Sequence, residues 1–149
     1  SAKDSMLISK KIGSGRKAVC ASKAYLKKFG IPKTPGDLRA HNCIVLGKDN
    51  NWTFRKGRKE FNIKVSGNLK TNYGEMLAKS VESGIGISVL ALWHAHKQIK
   101  KGEIVTLLED YELANQSEIC LVYPDKSYLP RKTRALIDFL AEEIDLPFR

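Results

Sequence analysis

The sequence predicts an α/β fold built on a sheet that is at least partly parallel, and three patterns predict it. Phe61, Ile63, Val65 and Leu69 occupy odd positions with polar residues between them, the period of a half-buried antiparallel strand segment. At Asn72 the period changes, and Met76, Leu77, Ser80 and Val81 fall on one helical face that ends at Gly84. Residues 85–90 then form a nearly continuous apolar run, as expected of a strand covered on both faces. Strands alternating with helices in this way define the class. With 149 residues, 42% of them hydrophobic and 28% charged, the chain is long enough for one core and carries no compositional mark of disorder.

Element by element, Lys17-Ala-Val-Cys-Ala21 reads as a short strand, and Ser22 caps a helix with Tyr25, Leu26 and Phe29 on one face and Gly30 as its stop. Thr34 repeats the signal as a cap, with Pro35 at the first helical position and Asp37 at the third. The apolar run 43–46 and Trp52-Thr-Phe54 follow as strands. Asn72 with Glu75 three residues on reads as a capping box. Leu92, His96 and Ile99 mark a further helix closed by Gly102, and residues 104–108 and 119–123 read as strands. Pro130 opens a last helix whose face carries Leu136, Ile137, Leu140, Ala141 and Ile144. Gly13-Ser14-Gly15 lacks the lysine and hydroxyl residue of a phosphate loop and reads as a flexible turn.

Net charge is +10, distributed unevenly. Residues 1–70 hold 17 Lys and Arg against 4 acids, and residues 71–149 hold 9 against 12. The basic half admits a nucleic-acid surface, yet no helix carries a basic stripe and the aromatics form no stacking platform. Solubility and attraction of anions account for the same charge. No apolar run approaches the roughly 18 residues that span a bilayer, and the N-terminus has no signal-peptide core, so no membrane partner is expected. Cys20, Cys43 and Cys120 are odd in number, widely spaced and set among apolar neighbours, which reads as buried, reduced thiols in a cytoplasmic protein.

Catalytic chemistry is not visible. No strand-to-helix elbow carries a nucleophile, Gly84-Ile-Gly86 lies in the wrong order for a dinucleotide fingerprint, and no cofactor is implied. His94 and His96 diverge by about 200° on a helix, so no metal site is read there. What remains is Thr71-Asn72-Tyr73-Gly74-Glu75, where small and polar residues lead from a strand into a helix start. Such a start can seat the carboxylate or phosphate of a small ligand, and a plain helix cap accounts for the same residues.

Several segments, in order along nearly the whole chain, carry a resemblance. They are Val19-Cys-Ala-Ser-Lys-Ala-Tyr-Leu26, Thr34-Pro-Gly-Asp-Leu38 with His41-Asn-Cys43, Gly67-Asn-Leu69 followed by Asn72, Ser83-Gly-Ile-Gly-Ile-Ser88, and Val122-Tyr-Pro124 with Leu129-Pro130 and Arg134-Ala-Leu-Ile-Asp-Phe-Leu140. Together they resemble the C-terminal effector-binding (substrate-binding) domain of LysR-type transcriptional regulators. The resemblance implies a type 2 periplasmic-binding-protein-like fold of two α/β lobes joined by two crossing segments, with a small effector between them. It also implies a chain truncated at its N-terminus: residues 1–20 end the first lobe and form the first crossover, 21–118 are a complete second lobe, and 119–149 are the second crossover with the C-terminal strand and helix of the first lobe.

Carried over by position, the resemblance implies ligand binding by Thr71, Asn72 and Tyr73, which face the effector, and by Ala21, Ser22, Cys120 and Val122, at or near the crossovers. It implies a small, anionic effector, self-association, DNA contact only through a helix-turn-helix that this chain does not contain, and no enzymatic activity. A solute-binding protein of the same fold serving transport is the alternative.

Overall fold

The computed structural model describes residues 7–124 and 129–143. In chain order the elements are β1 (Leu7–Gly15), β2 (Lys17–Ser22), α1 (Lys23–Phe29), a 3-10 helix (Pro35–Ala40), β3 (Val45–Leu46), β4 (Asn51–Lys56) and β5 (Lys59–Lys64). They continue with β6 (Lys70–Thr71), α2 (Gly74–Glu82), β7 (Ser88–Ala91), α3 (Leu92–Lys101), β8 (Ile104–Leu107), β9 (Glu112–Leu113), β10 (Ser117–Pro124) and α4 (Arg131–Glu143). The chain divides into two compact units, Arg16–Gln116 and a second made of Ser1–Gly15 with Ser117–Arg149.

The larger unit is organised by β2, which pairs antiparallel with β7 on one side and β8 on the other. Alternation along β2 sends Val19 and Ala21 to one face and Cys20 to the other, and all three are buried. Val19 and Ala21 join Tyr25 and Leu26 of α1, Leu38 of the 3-10 helix, and Trp52, Phe54 and Ile63 of the β4–β5 hairpin. Cys20 joins Leu77, Ala78 and Val81 of α2 and Leu92 and Ala95 of α3. The strand therefore separates two cores. The β4–β5 pair is antiparallel, with Trp52 opposite Ile63 and Phe54 opposite Phe61, as the alternation predicts. Among the described residues, parallel pairing is confined to β3 with β6 and a bridge between Cys43 and Ile87.

Local signals at helix ends have mixed outcomes. The Ser22 hydroxyl accepts from Tyr25 N at 3.1 Å, and Gly30 stops α1 at φ 90 with its amide donating to Leu26. The Asp37 carboxylate accepts from Lys33 N and Thr34 N at 2.9 and 2.8 Å. The segment that Thr34 opens closes as a 3-10 turn, since Pro35 and Gly36 are both poor helix-interior residues. The capping box predicted from Asn72 and Glu75 does not form. The N-cap of α2 is Tyr73, and no side chain caps it. The cause lies in β6: the Thr71 carbonyl accepts from Gly47 N at 2.7 Å and the Thr71 hydroxyl from Tyr73 N at 3.1 Å, which holds the chain extended one residue further.

Gly84 and Gly86 are structural, as read. Gly84 ends α2 at φ 77, and a Cβ on Gly86 would stand 2.2 Å from the Asn42 carbonyl oxygen. That carbonyl accepts from Ile87 N, while the Asn42 side chain donates to Ile85 O and Asn68 Oδ1 and accepts from Asn68 N. One residue thus ties three loops.

In the smaller unit the flexible turn expected at Gly13-Ser14-Gly15 is instead the end of β1, paired antiparallel with β10 and with a register shift between Lys11 and Gly13. A Cβ on Gly15 would meet Ser117, whose hydroxyl donates to the Gly15 carbonyl, so glycine is required there by close strand approach. Cys120, expected to be buried, is exposed on β10. Of the face predicted for α4, Ile137 is buried, Leu140 and Ala141 are half-buried, Leu136 is exposed, and Ile144 lies outside the described residues.

Two outcomes follow from these contacts. Gly86→Ala should cost on the order of 1–3 kcal/mol in denaturant unfolding, because the new methyl can be admitted only by displacing backbone. The amides of Thr34 and Lys33 hold the Asp37 carboxyl below its ordinary value of 3.8. Its contribution to stability is therefore present above that value and lost as pH falls through the lowered one. Asp37→Asn should lower the Tm at neutral pH, and melts taken along an acid series should show the two proteins converging below about pH 4.

Candidate functional site

The start of α2, like that of α3 after Ala91, carries no side-chain cap, and it is the one that follows the polar corner 71–73. An α-helix leaves its first amides without intrahelical partners, and the positive end of the dipole lies there. The first intrahelical bond of α2 is Leu77 N to Tyr73 O at 3.0 Å, so the amides of Gly74, Glu75 and Met76 precede it, and no side chain caps them. Thr71 is half-buried, whereas Asn72 and Tyr73 are exposed. Thr71, Asn72 and Tyr73 are thus brought together as one corner. Gly47, at the end of β3, closes it from the side: a Cβ there would stand 3.6 Å from Asn72 Oδ1.

His94 completes the corner. A Cβ on Gly74 would lie 2.5 Å from His94 Nε2, so the imidazole stands against the first residue of α2. Trp93 packs beside it, ring centroids 4.5 Å apart. Glu75, Lys79, Trp93, His94 and Lys97 line a cavity of about 410 Å³ between α2 and α3. Sequence reasoning tested His94 only as a metal ligand. Its true neighbour is twenty residues back, and the one local sign was a glycine at the first turn of α2, which leaves room for the ring.

Ala21 and Ser22 do not join this corner. They end β2, six residues or about 20 Å of strand beyond Arg16, with Ser22 already engaged in capping α1. Gly84, at the far end of α2, is the residue that approaches the Ser22 hydroxyl, so the nine-residue helix, about 13 Å long, separates Ser22 from Thr71. Near Arg16 the contacts are different: its carbonyl accepts from Leu92 N at 2.9 Å, and Gln116 accepts from Lys17 N at 2.7 Å. Cys120 and Val122 lie on β10 of the smaller unit, opposite Lys11 and Ser9, both exposed.

Metal chemistry finds no footing among the described residues, and of the three thiols Cys20 and Cys43 are buried while Cys120 is exposed. Burial pushes the Cys20 and Cys43 thiols up to about 12, so both are protonated near neutrality and poor nucleophiles. No group of three His, Cys, Asp or Glu side chains is placed to hold a metal ion. His41 ends the 3-10 helix, where its Nδ1 lies 3.0 Å from the Tyr25 hydroxyl. Among the described residues, no helix is long and apolar enough to cross a membrane.

Comparison with known proteins agrees with this architecture. The chain is 34% identical over 134 residues to the probable HTH-type transcriptional regulator LtrA of Klebsiella pneumoniae, covering 87% of this chain and 43% of that protein. It is 29% identical over 130 residues to the HTH-type transcriptional activator TtdR of Escherichia coli K12, covering 85% and 41%. The chain spans less than half the length of these curated relatives. Among solved structures, the regulatory domain of CrgA, a LysR-type transcriptional regulator from Neisseria meningitidis, superposes with a TM-score of 0.81 at 26% identity, over 97% of this chain and 72% of that one. The regulatory domain of AphB from Vibrio vulnificus gives 0.79 at 27% identity, over 93% and 69%. The fold is accordingly periplasmic-binding-protein-like. The LysR substrate binding domain profile matches residues 1–145, and the chain belongs to that family.

Proposed function

We propose that this chain is the effector-sensing part of a cytoplasmic, self-associating transcriptional regulator, and that it senses a small anionic ligand. The observation that carries the reading is the uncapped start of α2, where exposed Asn72 and Tyr73, half-buried Thr71 and His94 surround backbone amides that no side chain satisfies. A carboxylate or phosphate satisfies such amides and gains from the dipole by about 0.3–2 kcal/mol. The relatives are named as HTH-type regulators, which favours regulation over solute transport. The effector acts by binding one conformational state of the regulator better than another, and DNA is engaged through a helix-turn-helix of the kind for which the relatives are named. The same names, transcriptional regulators throughout, favour a sensor over an enzyme. Ala21 and Ser22 support the fold of the larger unit, Cys120 and Val122 are exposed on β10 of the smaller one, and ligand contact is centred on residues 71–73.

The test uses the complete reading frame that contains this chain, with a reporter gene and a panel of small carboxylates and phosphates. An effector from the panel should shift DNA occupancy or transcription, and a regulator indifferent to every anion would count against the reading. Asn72→Ala should alter that response while changing unfolding free energy by less than about 0.5 kcal/mol, since Asn72 is exposed and caps nothing. Had it been a cap, the cost would be about 1 kcal/mol. Gly74→Ala drives the His94 ring away from the helix start; calorimetry should show weaker effector binding with stability maintained or raised.

A further inference from the structure

We infer that the tip of the β4–β5 hairpin is a sequence-independent contact for the phosphate backbone of duplex DNA, separate from the effector site. The sequence Arg55-Lys-Gly-Arg-Lys59 places four cations within five residues, all of them exposed. The structure sorts them. Arg55 is neutralised, bonded to Glu60 at 3.1 Å and facing Glu112 on β9. Lys56, Arg58 and Lys59 have no carboxylate within ion-pair distance among the described residues. Gly57, with φ 59 at the first turn position, folds the strands back so tightly that Lys56 and Lys59 stand directly opposite each other.

Like charges directly opposed across two strands destabilise the pair, and this pair lies at the free end of a ribbon. An external anion relieves that repulsion. Lys56 lies 4.7 Å from the centroid of Tyr111, and Tyr111 is braced edge-on against Phe61 at 5.7 Å. An aromatic platform thus restrains one of the three cations. The geometry is that of a hairpin tip with positive charge, projecting from the three-stranded β5–β4–β9 sheet. It offers neither a recognition helix nor a stacking surface, so it reads phosphate and not base. The choice of DNA among polyanions rests on the regulatory function proposed above.

The experiment is fluorescence anisotropy of the 149-residue chain with a labelled duplex of arbitrary sequence, between about 50 and 200 mM salt. It compares wild type, a tip variant (Lys56→Gln, Arg58→Gln, Lys59→Gln) and a variant of equal net charge on α1 (Lys23→Gln, Lys27→Gln, Lys28→Gln). Three phosphate contacts contribute about 2.7 to the log–log salt slope, or roughly forty-fold in affinity across that range. The tip variant should lose that slope and the α1 variant should keep it. Gly57 remains in the turn, and circular dichroism of each variant confirms that the fold is retained. Equal slopes for wild type and tip variant, or equal losses in the two variants, would overturn the inference. Binding of polyglutamate as tightly as DNA would overturn it in favour of an acidic protein partner. Loss of the salt slope in the tip variant, with the effector response of the complete regulator intact, would separate this contact from the proposed sensing site.

Discussion

The larger unit depends on the burial of one strand on both faces. Val19, Cys20 and Ala21 are at most 2% exposed, and Ser22 only slightly more. Because successive side chains of a strand point in opposite directions, β2 cannot be removed from one core without opening the other. The helices α2 and α3 close one side, and α1 with the β4–β5 hairpin closes the other. Small residues dominate the strand itself. Alanine and cysteine keep it thin, so Leu77 and Val81 on one side and Phe54 and Leu38 on the other can approach, with Phe54 and Leu38 wholly inaccessible to water.

Around this strand the loops are fixed by backbone hydrogen bonding more than by apolar packing. Asn42 is the junction: its amide donates to the Tyr25 hydroxyl at 3.1 Å, and its side chain and carbonyl reach Ile85, Ile87 and Asn68. Gly67 and Gly86 flank it because their backbones come too close to residues 42–43 for any side chain. The same tight path carries the chain into β6 and then into α2, so the position of the candidate site is inherited from the loop network. Thr71 connects the two, with its carbonyl bonded to Gly47 and its hydroxyl to Tyr73.

What could be read from the sequence divides along physical lines. Signals that act over three or four residues were legible: Ser22 capping α1, Asp37 closing the turn after Thr34, Gly30 and Gly102 stopping helices, and the alternation that builds the β4–β5 hairpin. The strand β1 was illegible because it is rich in lysine, serine and glycine, and its pairing partners lie over a hundred residues away. Tertiary contact decided Asn72 as well, since pairing of β6 with β3 moved the helix start by one residue. At the candidate site the polar corner 71–73 stood out in sequence. His94 did not, for it arrives through the packing of α2 against α3.

The long separation between β1 and β10 also bears on the order in which the molecule assembles. Joining residues 7–15 directly to 117–124 would require closing a loop of about a hundred residues, an entropic barrier that slows folding when nothing else brings the ends together. Here Gln116 holds both the amide and the carbonyl of Lys17, so folding of the intervening unit delivers its own two ends side by side. The ribbon can then zip from a preformed base, one rung at a time. On this argument its formation is a late, local step that depends on the unit enclosed between its strands.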